Sequence, residues 1–85
     1  MRLSGRVNDT WRGRTKDGHP ALGVEVAVSD NLRCFWAPYN EDGSDPVQRG
    51  DQVSAGPHHY TVNGSAERPK LGWLFDRGAS DLYTG

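Results

Sequence analysis

"VEVAVSDNLRCFWAP", Val24 to Pro38, is the stretch from which the rest of the chain is read. Val24, Val26 and Val28 alternate with Glu25, Ala27 and Ser29, the period of a pleated strand, and β-branched valines favour that surface. Asp30 and Asn31 follow, two residue types that tolerate the left-handed backbone of a tight turn. "LRCFWAP" then returns as a second strand, which Pro38 ends. On it Leu32, Cys34 and Trp36 share one face while Phe35 points the other way beside Arg33 and Ala37. A strand apolar on both faces is covered on both, by the rest of a small barrel or by another subunit.

A second hairpin is expected in "GDQVSAGPHHYTVNG", Gly50 to Gly64. Val53 and Ala55 alternate with Gln52 and Ser54, and Tyr60 and Val62 with His59, Thr61 and Asn63. Gly56 and Pro57 form the corner, since glycine admits positive φ and proline fixes φ near −65°. His58 and His59 then fall on opposite faces of one strand and cannot close on one metal. The spacing predicts an all-β chain: a small β-barrel or β-sandwich-like domain with long polar loops and an extended C-terminal tail. It is read as one domain over residues 1–85, its core at about 3–67 and a docking tail at about 68–85.

Composition sets limits on that domain. Of 85 residues, 34% are hydrophobic, and the net charge is −1 at pH 7. So lean an apolar share suits a disordered chain only when net charge is large, which it is not here. A single cysteine, Cys34, excludes an internal disulfide, which leaves association with other chains as the remaining device for stabilising so small a fold. No stretch has the form of a secretion signal, and none approaches the ~20 apolar residues of a membrane span. The expectation is a soluble protein made in a cytoplasm, with no membrane partner.

Residues 8–23 and 38–50 read as long polar connections, and connections of that length are usually functional or disordered. Arg12, Arg14 and Lys16 gather in the first, and Glu41, Asp42 and Asp45 in the second. In a ring of identical subunits the basic loop of one copy could meet the acidic loop of the next, although two solvated loops give the same pattern. "WLF" and "LYTG" in the tail suggest docking on a partner.

Little in the chain points to chemistry. No GxSxG, HExxH, P-loop or GxGxxG pattern is present. Cys34, mid-strand beside Phe35 and Trp36, reads as a buried structural thiol, and His19, in "DGHP", as a solvated turn residue. Arg49-Gly50-Asp51 and Asn63-Gly64-Ser65 match an adhesion tripeptide and a glycosylation sequon, both short enough to arise by chance. Trp11 beside Arg12 and Arg14 has the residue types of a nucleic-acid stacking platform, but the whole domain is slightly acidic. No enzyme activity, metal or cofactor is expected.

In this strand order the chain resembles the head-to-tail connector proteins of long-tailed bacteriophages, the head completion or stopper group. The resemblance rests on the arginine-containing first connection with its "DGHP" turn, on "VEVAVSDNLRCFWAP", on the polar loop and on "VQRGDQVSAGPHHYTVNGSAERPKLGW". Arg49, Asp51, Val53, Gly56, Tyr60, Val62, Gly64 and Trp73 stand at the places of an "RxDxV…G…Y.V.G" hairpin followed by a Trp-containing segment. The resemblance implies a non-catalytic virion protein: a homo-oligomeric ring, a hexamer favoured over a dodecamer, between the portal or adaptor ring and the tail terminator or tail tube protein. Packaged double-stranded DNA passes through its channel. It further implies a lumenal loop at 39–50 lined by Glu41, Asp42 and Asp45. Trp11, Arg12, Arg14, Lys16, Tyr39, Trp73 and Phe75 are the candidate subunit interface, with Trp36 expected in the core. Another small phage tail or capsid accessory protein, and a free β-barrel module binding nucleic acid or peptide, remain as alternatives.

Overall fold

The valine hairpin forms as its alternation dictates. In the computed structural model, which describes residues 2–74, β2 (Pro20–Val28) pairs antiparallel with β3 (Asn31–Ala37), from Leu22 opposite Ala37 to Val28 opposite Asn31. The turn falls one residue earlier than Asp30-Asn31: Ser29 takes the positive φ of 53° and Asn31 already belongs to β3. Leu22, Val24, Val26, Phe35 and Ala37 point into one core, while Cys34 and Trp36 pack with Ala21 on the opposite face.

β4 (Gln52–Ala55) and β5 (His59–Val62) form the second hairpin in the expected register, Val53 opposite Val62 and Ala55 opposite Tyr60. Their inward side chains, Val53, Ala55 and Tyr60, are buried in the same core. His58 lies in the corner and His59 opens β5; both are exposed.

Residues 8–23 are not a loop. Leu3–Arg14 form β1, the longest strand of the described chain, which pairs with β4 through residues 3–6 and with β2 through residues 6–14. The register slips between Val7 and Asp9, a β-bulge in which one extra residue reverses the alternation. Before it Leu3, Gly5 and Val7 lie on the core side; beyond it Thr10 and Arg12, opposite Val24 and Leu22, take that side. The strand bends closely over its neighbour at Gly5, where a Cβ would collide with the Ala27 carbonyl oxygen.

The start of the expected tail also belongs to the sheet. β6 (Arg68–Pro69) pairs with β5, and β7 (Trp73–Leu74) pairs with β3, giving the strand order β6-β5-β4-β1-β2-β3-β7. β6 and β7 are the two ends of one seven-residue segment, so a single stretch of backbone binds both edges of the sheet. Between them the amide of Lys70 donates to the His58 carbonyl at 2.9 Å and that of Leu71 to the Trp36 carbonyl at 2.9 Å. The segment therefore bridges the two edges of the sheet into a barrel-like body, whose interior brings the rings of Phe35 and Tyr60 within 5.2 Å of each other. Where this segment runs, β3 and β5 do not present unpaired edges. The bridging also shows how so lean a composition makes a core: ten buried residues, none larger than tyrosine, converge on one narrow interior.

Candidate interface at the loop-bearing end

β1 and β3 run toward the same end of the barrel, so the β1–β2 turn (residues 15–19) and the long connection 38–51 emerge together. The connection is ordered along its length. Asn40 opens a tight turn, its amide donating to the Ser44 carbonyl at 3.0 Å and its carbonyl accepting from Gly43 at 2.8 Å. Val47 is buried in the core. Gly50 and Asp51 exchange backbone hydrogen bonds with Val7, at 2.9 and 2.8 Å, and prolong the β1–β4 ladder.

Side chains finish the attachment. Arg12 reaches Asp45 at 2.6 Å and the Gly43 carbonyl at 3.1 Å, and its guanidinium lies 4.7 Å above the Tyr39 ring. Arg49 pairs with Asp9 at 3.1 Å, and Arg68 donates to Asn40 Oδ1 at 2.9 Å. Tyr39 packs against the core and donates its hydroxyl proton to the Ala21 carbonyl at 3.0 Å. Its pKa is raised, chiefly because burial disfavours the phenolate, with Arg12 pulling the other way.

These contacts redistribute the expected interface residues. Arg12 and Asp45, which the sequence placed in two loops expected to meet between subunits, are partners within one chain. Arg14 donates to the Gly18 carbonyl of its own turn at 2.8 Å, and Lys16 is exposed. Trp11 stands on the outer face of β1 and meets Trp36 edge-on, ring centroids 5.9 Å apart at 61°. Its indole covers Gly23 so closely that a Cβ there would overlap the ring, so this tryptophan is not held out as a platform for bases. Trp36 is buried, as expected of a core residue. Trp73 contributes backbone to β7, and Phe75 lies outside the described residues.

Of the lumenal candidates, Glu41 and Asp42 occupy the exposed tip. Asp42 Oδ1 accepts from the Ser44 hydroxyl at 2.6 Å and from the Ser44 amide at 3.0 Å, and these bonds, the hydroxyl first, hold its pKa below the ordinary carboxylate value. Asp42 therefore gives up its proton more readily than an ordinary aspartate.

Among the described residues no group of three or more His, Cys, Asp and Glu side chains is placed to hold a metal ion. Cys34 is buried, its sulfur 4.0 Å from Glu25 Oε2, while Asn8 Nδ2 donates to Glu25 Oε1 at 2.7 Å. Sequence reading missed the anchors Val47, Arg49 and Asn40. Val47, a lone apolar residue between a proline and a polar run, carried a signal, and Arg49 stood in the hairpin pattern without being read as an anchor. It also missed an open groove of about 420 Å³ lined by Thr15, Asp17, His19, Pro20, Pro38 and Leu71. Comparison with family models, curated proteins and solved structures finds no match to the chain.

Proposed function

We propose that the chain is a structural subunit of the head-to-tail connector of a tailed bacteriophage, working as a homo-oligomeric ring between the portal or adaptor ring and the tail. The observation that carries this reading is the connection 38–51. It is anchored by Val47, Arg12 and the Val7 ladder, and presents Glu41 and Asp42 at its exposed tip. A pair of carboxylates at a lumen, on a loop anchored at its base, repels the phosphate backbone of passing DNA, so the cargo slides without being gripped. Catalysis plays no part in this role. The barrel supplies a stiff body, and its closed sheet directs association to side-chain surfaces rather than to strand pairing.

The alternative of a free nucleic-acid-binding module draws no support from Trp11, which packs on Gly23 and Trp36. Immunogold electron microscopy of particles from the producing phage tests the proposal. Label at the vertex where head meets tail is the expected result; label on capsid faces or tail fibres, or on no particle, overturns it.

A further inference from the structure

The outer side of β1, β2 and β3 carries a second buried cluster, on the face turned away from the barrel interior. Register sets its members side by side: Trp11 opposite Gly23, Gly23 opposite Trp36, and Glu25 opposite Cys34. An antiparallel sheet with one face on the core commonly leaves the other to water. Here Ala21, Cys34, Trp36 and Glu25 on that other face are only 0, 2, 4 and 7% exposed. Leu32, two residues before Cys34 on the same side of β3, is 55% exposed. A cover therefore lies over positions 34 and 36 and ends before position 32.

Among the described residues, Trp11 covers Gly23 and packs on Trp36, and Asn8 reaches Glu25 from the β1 side. Cys34 lies on the far side of Glu25 from Asn8, and about 7 Å along the hairpin from the pair that Trp11 covers. Its cover comes from the β7 side of the sheet. That is where the remaining chain begins: β7 sets Leu74 opposite Cys34, and the eleven residues 75–85, "FDRGASDLYTG", follow outside the described residues. Asp76, Gly78 and Ser80 are turn formers, and Leu82 and Tyr83 bring apolar area after them. From β7 to β1 is three strand spacings, about 14 Å, whereas eleven residues reach about 36 Å when extended. The segment is long enough to turn and cross the face.

We infer that residues 75–85 fold back as a strap over their own barrel, with Leu82 and Tyr83 covering the face of Trp11, Trp36 and Cys34. The strap assigns the apolar residues of the tail to the chain's own outer surface, where the sequence alone sends them to a partner. It holds whether or not the chain serves in a connector.

Cys34 is the sole cysteine, so the rate at which the full chain reacts with a chromogenic aromatic disulfide reads the cover directly. The parent thiol should react far more slowly than free cysteine. Leu82→Asp should speed the reaction about ten- to a hundredfold, the effect of removing one buried apolar side chain from the contact that must open. Leu32→Asp places the same charge on the same face beyond the cover and should leave the rate unchanged. A second measurement needs no substitution. In a mixture of isotope-labelled and unlabelled full chain, nuclear Overhauser contacts from the Leu82 methyls or the Tyr83 ring to the indoles of Trp11 and Trp36 should arise within labelled chains. If Leu82→Asp has lost the far-ultraviolet circular dichroism of the parent, these contacts alone decide. Absence of the contacts overturns the inference, as does a folded Leu82→Asp that reacts at the parent's rate or a Leu32→Asp that reacts as fast as Leu82→Asp. Contacts that join labelled to unlabelled chains overturn it too, because the cover would then be a second copy.

Discussion

The indole of Trp11 occupies the space a side chain at position 23 would need, which makes Gly23 a packing requirement of the outer β1–β2 face. Gly23→Ala must displace the ring, and overpacking of this kind costs about 1–3 kcal/mol; urea unfolding followed by tryptophan fluorescence should show the loss. Lys70 sets a second condition. It is buried, donates to the Pro57 carbonyl at 3.1 Å and lies 5.8 Å from the Phe35 ring centroid. Burial, with Arg33 adding like-charge repulsion, lowers its pKa below the usual 10.5. Between the lowered folded value and 10.5 the unfolded chain binds more protons than the folded one, so stability rises with pH across that window. Tyr60 and Tyr39 act in the opposite sense. Burial raises their pKa above 10.0, and the stability this confers is present below 10.0 and lost as pH climbs through the folded values. The melting temperature of the parent should therefore rise as pH nears 10 and fall above it, while Lys70→Met should remove the rise and keep the fall.

At the scale of elements, the connection 38–51 is held by burial more than by charge. Arg12–Asp45 is short but solvent-exposed, and such pairs contribute about 0.2–1 kcal/mol. Val47 is fully buried, and its truncation leaves a void costing about 1–3 kcal/mol. Val47→Ala should thus speed amide exchange at Gly50, which donates to Val7, more than Arg12→Ala does. The tip adds a functional expectation: if it lines a DNA channel, Glu41→Lys with Asp42→Lys should slow DNA release from intact particles, measured by dye access to ejected DNA. Among the elements, the Val24–Val28 part of β2 and β4 and β5 were legible from their alternation, and β3 from the turn before it and the proline after it, whereas Pro20–Gly23, the start of β2, read as polar connection. β1 was not, for reasons visible in its residues. Its bulge at Val7–Asp9 breaks the period of two, and its core side holds a glycine, a threonine and arginines where a strand pattern looks for apolar residues. The anchored loop was hidden for a different reason, since its hold on Val7, Arg12 and Asp9 joins positions some thirty to forty residues apart.

For the whole molecule, the deciding feature is closure. β6 and β7 are two residues each, too short to be read from any pattern, yet the segment they terminate binds both edges of the sheet. Closure gathers a sparse set of apolar residues into one interior and leaves association to side-chain surfaces, as the proposed assembly role would require. Backbone amide exchange at Lys70 and Leu71, read residue by residue by nuclear magnetic resonance, tests this most directly. Two consecutive amides bonded to opposite edges, one to His58 and one to Trp36, should both exchange slowly and lose protection together on unfolding. Exchange of either at the rate of an unstructured peptide would mean that the sheet is open, and the account built on its closure would fall.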